Sequence, residues 1–325
     1  MKTEIEQIVS KIKNSKKIAL AGHISPDADS IGACFAMAYA LDKIGKKVWV
    51  ILDSYSEKYD ILPGFDFVVQ SDKNIKPDLF IALDCGDEKR LGPALPLFKS
   101  TENIVIDHHV NKGFGDYNYI DKDSSSTCEM LFDIIKSLTK LNTNIAKCLY
   151  AGIITDTGGF RYKDTTQKTM KIASKLLKYD FDFNDVYETL MYQQTFNQFS
   201  GFISIVNDYV YDNKLKFVYT TATEEKMKSL NIDKNDLDGV ASFFTRIKDA
   251  KLSAFAYEIE KNKTKVSLRS TWYNVNYLAK HFGGGGHRLA SAFQIDLSPN
   301  EAIEKIKEKL ENDLMEQEWN GYFTI

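Results

Sequence analysis

The chain has no apolar run that approaches membrane-spanning length, and its first residues, Met1-Lys2-Thr3-Glu4-Ile5-Glu6, are too polar for an export signal. Membrane anchoring and export are therefore both disfavoured. Cysteine is scarce. The four present, Cys34, Cys85, Cys128 and Cys148, form no metal-ligand pairs and sit in apolar or mixed surroundings, which points to reduced, mostly buried thiols in the cytoplasm. No strong excess of one charge exists either: 42 Lys and Arg against 45 Asp and Glu leave a formal net charge of −3. A protein that coats long nucleic acid would show a basic excess, because phosphate neutralisation dominates such binding. Internal repeats and low-complexity segments are also missing. What is present is 325 residues with 43% apolar content, enough to bury two ordinary cores, so two domains are expected.

The most informative stretch is Gly22-His23-Ile24-Ser25-Pro26-Asp27-Ala28-Asp29-Ser30. The apolar run Ile18-Ala19-Leu20-Ala21 before it reads as a short strand ending at Gly22. A helix is expected at once after it, capped by Ser30, with Ile31, Cys34, Met37, Ala38 and Leu41 at helical spacing. Pro26 keeps the intervening segment out of the helix, so His23, Asp27 and Asp29 are expected on an irregular turn. Two carboxylates one residue apart repel unless something positive lies beside them, and a divalent cation meets that need.

The same pattern recurs. Leu79-Phe80-Ile81-Ala82-Leu83 runs into Asp84, Ile104-Val105-Ile106 runs into Asp107-His108-His109, and Leu149 to Ile154, read as a buried helix, ends in Thr155-Asp156-Thr157-Gly158. In a parallel sheet the carboxyl ends of the strands share one edge, where ligands collect at the topological switch point. A His-His pair alone is weak evidence, but an acid or imidazole closing so many apolar runs is not. His23, Asp27, Asp29, Asp84, His108 and Asp156 are therefore candidate metal ligands. Their four aspartates balance two divalent ions, and an unpaired buried cluster would be heavily penalised by desolvation. Carboxylate and imidazole donors without thiolate suit manganese or magnesium, with manganese expected, while iron and cobalt stay open. Two ions about 3.5–4 Å apart can share a nucleophilic water and hold phosphoryl oxygens. Asp107 is left as an orienter of its neighbours, and His109 as a phosphate contact or proton donor.

Near the other end, Gly283-Gly284-Gly285-Gly286-His287 follows a helical stretch from Val275 to Phe282. Glycine backbone can approach a phosphate closely and His287 adds a donor, although a flexible loop or helix C-cap would use the same residues. Arg269 closes the alternating strand Lys265 to Arg269, and its guanidinium is suited to a terminal phosphate. Arg246 is a weaker candidate of the same kind.

Taken together, His23-x3-Asp27-x-Asp29, Asp84, Asp107-His108-His109 and Asp156-Thr157-Gly158 resemble the four motifs of the DHH phosphoesterase superfamily. The glycine run with Val266 to Ser270 resembles its DHH-associated C-terminal domain. Small residues closing on a Gly often follow this motif, and Arg288-Leu289-Ala290-Ser291-Ala292 keeps the small residues but not that Gly. The closest likeness is to the bacterial nanoRNase and pAp-phosphatase group, which implies hydrolysis of short oligoribonucleotides and linear dinucleotides such as pApA to nucleoside monophosphates, and of pAp to AMP and phosphate. Cyclic di-AMP hydrolysis is the alternative, inorganic pyrophosphatase a more distant one, and a metal- or nucleotide-sensing module without turnover the non-enzymatic one. Substrates are thus expected to be short RNA, dinucleotides and pAp, with no long duplex and no membrane partner; oligomeric state stays open, a homodimer included. The expected fold is α/β: a parallel-sheet DHH domain over residues 1–183 with helices on both faces, a helical connector over 184–208, and a smaller mixed α/β domain over 209–325, with a cleft between the domains. Within the last, Tyr209 to Tyr219 reads as a hairpin, Ser253 to Ile259 and Lys265 to Ser270 as strands, and Pro299 to Trp319 as an amphipathic helix with Ala302, Ile306 and Leu310 on one face. Arg269, Gly284, Gly285, Gly286 and His287 are expected to bind substrate.

Overall fold

The computed structural model describes residues 2–70, 75–232, 237 and 239–315. The chain divides into two compact units, Met1–Gln193 and Gln194–Ile325. Among the described residues no helix is long and apolar enough to cross a membrane.

The first unit runs α1 (Lys2–Asn14), β1 (Lys17–Ala21), α2 (Ala28–Lys43), β2 (Lys47–Ile51), β3 (Val68–Val69), β4 (Leu79–Leu83), α3 (Leu95–Lys99), β5 (Asn103–Asp107), β6 (Tyr117–Ile120), α4 (Thr127–Leu138), α5 (Thr143–Asp156), α6 (Gln167–Leu176) and α7 (Phe183–Met191). Its six strands pair in parallel in the order β3-β2-β1-β4-β5-β6. Strand order reverses between β1 and β4, which makes their carboxyl ends the switch point of the sheet. Period-2 alternation sorts the strand side chains. Ile18, Leu20, Leu79, Ile81, Leu83, Ile104 and Ile106 join a large core with α1, α2 and α4 to α7. Ala19, Ala21, Phe80, Ala82 and Val105 join a smaller one with Leu91, Ala94 and Phe98. The expected helices on both faces are thus unequally shared, because among the described residues the helical cover of the second core is α3 and a 3-10 turn over Glu88–Ala94, with loop residues Ile75 and Phe114 beside them.

The second unit runs α8 (Phe196–Asn207), β7 (Val210–Asp212), β8 (Phe217–Ala222), α9 (Glu224–Ser229), α10 (Val240–Phe243), β9 (Leu252–Glu260), β10 (Lys263–Ser270), α11 (Val275–His281), β11 (Gly285–His287), β12 (Ala290–Ile295) and α12 (Pro299–Met315). Its sheet has the order β11-β12-β10-β9-β8-β7 and is mixed, since β8 and β9 are parallel and the other pairs antiparallel. Ala254, Ala256, Val266 and Leu268 face α11 and α12, whose Ala302, Ile306 and Leu310 are buried there. Phe255 and Tyr257 point the other way, into a core with α8, α9 and α10.

Two local expectations are corrected, and a third is only partly covered. The single connector over 184–208 is two helices, α7 packing on α5 and α8 on β8, because residues 192–195 break the run and Thr195 starts α8 with a capping box closed by Gln198. Asp27, not Ser30, caps α2, accepting from the N–H groups of Asp29 and Ser30 at 3.1 and 3.0 Å, so Asp29 lies in the first helical turn rather than on an irregular one. The helix read as far as Trp319 is described to Met315, and its remainder lies outside the described residues.

Candidate metal centre

His23 stands two residues past the end of β1 and is 6% exposed. The Ser30 hydroxyl, freed from capping, accepts its backbone N–H at 3.2 Å. His23 Nε2 lies 3.5 Å from Asp27 Oδ2 and 3.6 Å from Asp84 Oδ2. Its Nδ1 has two rival neighbours, the carbonyl of Ile24 at 2.8 Å and Arg90 Nη2 at 2.9 Å. Only the tautomer that gives its Nδ1 proton to Ile24 leaves Nε2 a lone pair for a cation.

Asp84 follows β4 directly, is buried, and adopts φ of +61°, a left-handed conformation that aspartate tolerates better than most residues. This turn aims the carboxylate across the switch point. Its Oδ2 faces His23, and its Oδ1 faces His108 Nε2 at 3.5 Å. His108 Nε2 in turn lies 3.1 Å from Asp156 Oδ2 at the end of α5. Asp29, wholly buried, receives the backbone N–H groups of Thr127 and Cys128 on its two oxygens at 2.7 and 2.9 Å. A Cβ at Gly152 of α5 would collide with Asp29 Oδ1 and Cys128 Sγ, so only glycine lets α5 pass this close.

Ligand-capable atoms therefore converge in three overlapping groups: His23, Asp27 and Asp84; Asp29, His108 and Asp156; and Asp84, His108 and His109. All six residues expected as ligands are brought together, with Asp84 common to the groups built on His23 and on His108. Electrostatics shows how costly this gathering is without a cation. Burial alone would lower the His23 pKa, yet hydrogen bonding to Asp27 and Asp84 outweighs it and pushes it up to about 10. His108 is likewise pushed up to about 10 against burial, chiefly by Asp156 and Asp29. Burial and the charge of Asp84 hold Asp29 well above the usual carboxylate range, and burial raises Asp156 to about 6 despite His108. Borrowed protons thus do the work that a divalent cation would do, and an oxygen-and-imidazole donor set fits a hard or borderline cation. The four cysteines are buried and unpaired, with thiol pKa values pushed up by burial, so they offer no thiolate.

Asp107 stands outside the three groups. Its Oδ1 lies 2.8 Å from His109 Nδ1, and its Oδ2 accepts from the Asn111 amide. That contact raises the His109 pKa against the effect of burial and leaves Nε2 as the free end of a side chain that is 39% exposed.

The second set of expected residues lies in the other unit. Arg269 of β10 pairs with Ala290 of β12, which pairs with His287 of β11, so Arg269 and His287 occupy one row and one face with a small residue between them. Arg269 Nη1 donates to the Leu268 carbonyl at 2.9 Å, and the side chain lines a small cavity with Ser242, Tyr257 and Ser267. The glycine run is neither a free loop nor only a cap. Gly283, at φ of +79°, follows α11, and Gly284 donates back to Ala279 at 2.8 Å, which closes the helix. Gly285, Gly286 and His287 then form the edge strand β11. A Cβ at Gly284 would strike Ala292 and Phe293, so part of this glycine content serves strand packing.

Sequence reasoning missed Thr127, whose hydroxyl donates to Asp84 Oδ1 at 3.0 Å, and Asn111 beside Asp107. The hydroxyl run Ser124 to Thr127 ahead of an apolar helical stretch was the available signal for the first.

A model of the DHH family N-terminal domain matches residues 17–153, and a DHHA1 domain model matches residues 214–316. A probable bifunctional oligoribonuclease and PAP phosphatase NrnA from Streptococcus mutans is 31% identical over 312 residues, covering 93% of this chain and 97% of that protein. The bifunctional oligoribonuclease and PAP phosphatase NrnA of Bacillus subtilis is 29% identical over 316 residues, covering 91% and 93%. The crystal structure of an exopolyphosphatase-related protein from Bacteroides fragilis superposes with a TM-score of 0.89 at 25% identity, covering 96% of this chain and 97% of that one. With four motif segments gathered at one sheet edge and both domain models matched, the chain belongs to the DHH phosphoesterase family, in the group that joins a DHH domain to a DHHA1 domain.

Proposed function

We propose that this protein is a manganese-preferring phosphoesterase of the cytoplasm that hydrolyses short oligoribonucleotides and linear dinucleotides to nucleoside monophosphates, and pAp to AMP and phosphate. The observation that carries the reading is the placement of Asp84, whose two oxygens face His23 on one side and His108 on the other. Such a carboxylate is suited to bridging two cations, with His23 and Asp27 completing one position and Asp29, His108 and Asp156 the other. The names of the Streptococcus mutans and Bacillus subtilis relatives support the substrate class. Four buried, unpaired thiols support a reducing compartment, and a net charge of −3 supports small substrates over long duplexes.

When bound, two divalent ions activate the attacking water and neutralise charge that develops on the phosphoryl oxygens. The protein's own residues do the rest. Attack forms a new P–O bond as the bond to the leaving oxygen breaks. His109, held at Nδ1 by Asp107, presents Nε2 to donate a proton to that oxygen or a hydrogen bond to the phosphoryl group. Arg269, His287 and the amides of Gly285 and Gly286 take the terminal phosphate, drawing on the row that the strand register sets up, while Gly284, whose N–H is spent on Ala279, contributes by letting the chain pass close to Ala292 and Phe293.

Purified protein assayed with manganese against a diribonucleotide, pAp, pApA, cyclic di-AMP and pyrophosphate tests this. Fast turnover of the first three is expected. Turnover of pyrophosphate alone, or of cyclic di-AMP in preference to every linear substrate, would overturn the substrate assignment.

A further inference from the structure

Thr127 is the first residue of α4, is wholly buried, and sends its two donors to two different carboxylates. Its backbone N–H reaches Asp29 Oδ2 at 2.7 Å, and its hydroxyl reaches Asp84 Oδ1 at 3.0 Å. Capping of α4 does not need that hydroxyl, because Ser126 accepts from the Glu129 N–H at 3.0 Å. Thr127 is itself anchored. Two residues on, the buried carboxylate of Glu129 accepts from Ser125 Oγ and Thr169 Oγ1, both at 2.6 Å, with Lys168 Nζ at 3.5 Å. The start of α4 is thereby fixed to the start of α6, and neither the ligand set nor the proposed proton donor uses any of these groups.

We infer that Thr127 is a positioning residue that orients the bridging carboxylate and makes its two ends unequal. Among the described residues only Oδ1 of Asp84 receives a hydroxyl, and Oδ1 is the oxygen facing His108. A hydrogen bond occupies one of its lone pairs and fixes the direction of the other, which is left for a cation on the Asp29, His108 and Asp156 side. The Oδ2 end, toward His23 and Asp27, is not fixed in this way. One threonine thus couples the rotamer of Asp84 to the position of Asp29, and the cation position on the His108 side depends on it more than the other does. This rests on the metal reading above.

The test is Mn2+ binding to full-length Thr127→Val, Thr127→Ser and wild-type protein, followed by calorimetry and by the EPR signature of a spin-coupled manganese pair. Valine keeps the volume and the backbone donor but removes the hydroxyl. One ion should bind to it as in wild type, and the second about 10–100-fold more weakly with loss of the coupled signal, the usual cost of deleting a partner of a metal ligand. Serine, which keeps the hydroxyl, should restore both. If the valine variant gives no folded protein, Thr127→Cys, with only a weak donor, carries the same expectation. Two ions held by Thr127→Val with wild-type affinities would overturn the inference. So would a serine variant as weak as the valine one, since the methyl group and not the hydroxyl would then matter. Wild-type protein that takes up no Mn2+ would remove the metal reading and this inference with it.

Discussion

Asp107 Oδ1 lies 2.8 Å from His109 Nδ1, a contact between a fully buried carboxylate and a half-exposed imidazole that settles which ring nitrogen faces outward. The arrangement holds His109 in one tautomer and raises its pKa, so the ring carries a proton over a wider pH range than a free histidine would.

For Asp107→Asn, the carboxamide can still accept from Nδ1 but no longer supplies a charge, so the His109 pKa falls toward its ordinary value. Activity that needs protonated His109 is lost as pH rises through its pKa. The alkaline limb of the kcat profile should therefore move to lower pH, with kcat down about 10–100-fold and Mn2+ affinity little changed. An alkaline limb at the wild-type pH would refute the proton-donor role.

Replacement of Asp84, the proposed shared ligand, is predicted to separate fold from chemistry. Asp84→Ala removes one charge from a crowded acid cluster, so the metal-free protein should melt no lower than wild type, while turnover drops by about three orders of magnitude or more. Near-normal activity in manganese would sink the two-ion assignment.

Protons and cations compete for the same side chains, which fixes the sign of the pH dependence. In the metal-free protein His23 and His108 have pKa values near 10, above the ordinary 6.5, and Asp156 sits near 6, above the ordinary 3.8. Native protein then holds more protons than unfolded chain, through the Asp156 window at mildly acid pH and through the histidine window from about 6.5 up to about 10. Stability of the metal-free state falls as pH rises through each window, and the gain in melting temperature from saturating Mn2+ grows. Melts with and without the ion, taken between about pH 5.5 and about pH 9, check this; a gain that shrinks with pH would contradict the assignment.

Arg269 and His287 flank Ala290 in one row of the second sheet, and each is expected to act on binding more than on chemistry. Arg269→Ala should weaken a substrate with a free terminal phosphate by on the order of 1.5–3 kcal/mol while leaving a nitrophenyl phosphodiester nearly untouched. Equal losses on both would make Arg269 structural.

Length selectivity is expected from the proposed grip of the same residues on a phosphate. Initial rates on an RNA series at fixed salt should peak at about two to five nucleotides, because further phosphates add repulsion from an acidic protein and no new contact. His287→Ala should lower the rate and flatten that preference. Undiminished processive digestion of long RNA would point to a general exonuclease instead.

Most of the residues that the fold gathers into groups able to hold a cation were legible in the chain because they close apolar runs: His23 after β1, Asp84 after β4, His108 and His109 just after β5, and Asp156 at the end of α5. Short continuous apolar runs likewise announced strands of the first sheet, alternation announced β10 of the second, and the helical spacing of Ala302, Ile306 and Leu310 announced α12. These are local signals, and local pattern is what residue order encodes most directly. The break between α7 and α8 depended on a capping box that apolar spacing alone does not reveal. The split roles of the glycines depended on the approach of β12, which lies on the far side of a turn.

What the sequence determined by itself is therefore the chemistry available: four carboxylates and two imidazoles at the ends of buried elements, and a third imidazole beside them. Tertiary structure decided their geometry. Only the strand order β2-β1-β4-β5 places Asp84 between His23 and His108, so that its two oxygens serve different neighbours. Only the docking of α4 brings Thr127, 43 residues away along the chain, onto Asp84. Both are consequences of long-range packing, in which a side chain's partners are fixed by the elements buried against it and not by its neighbours in sequence.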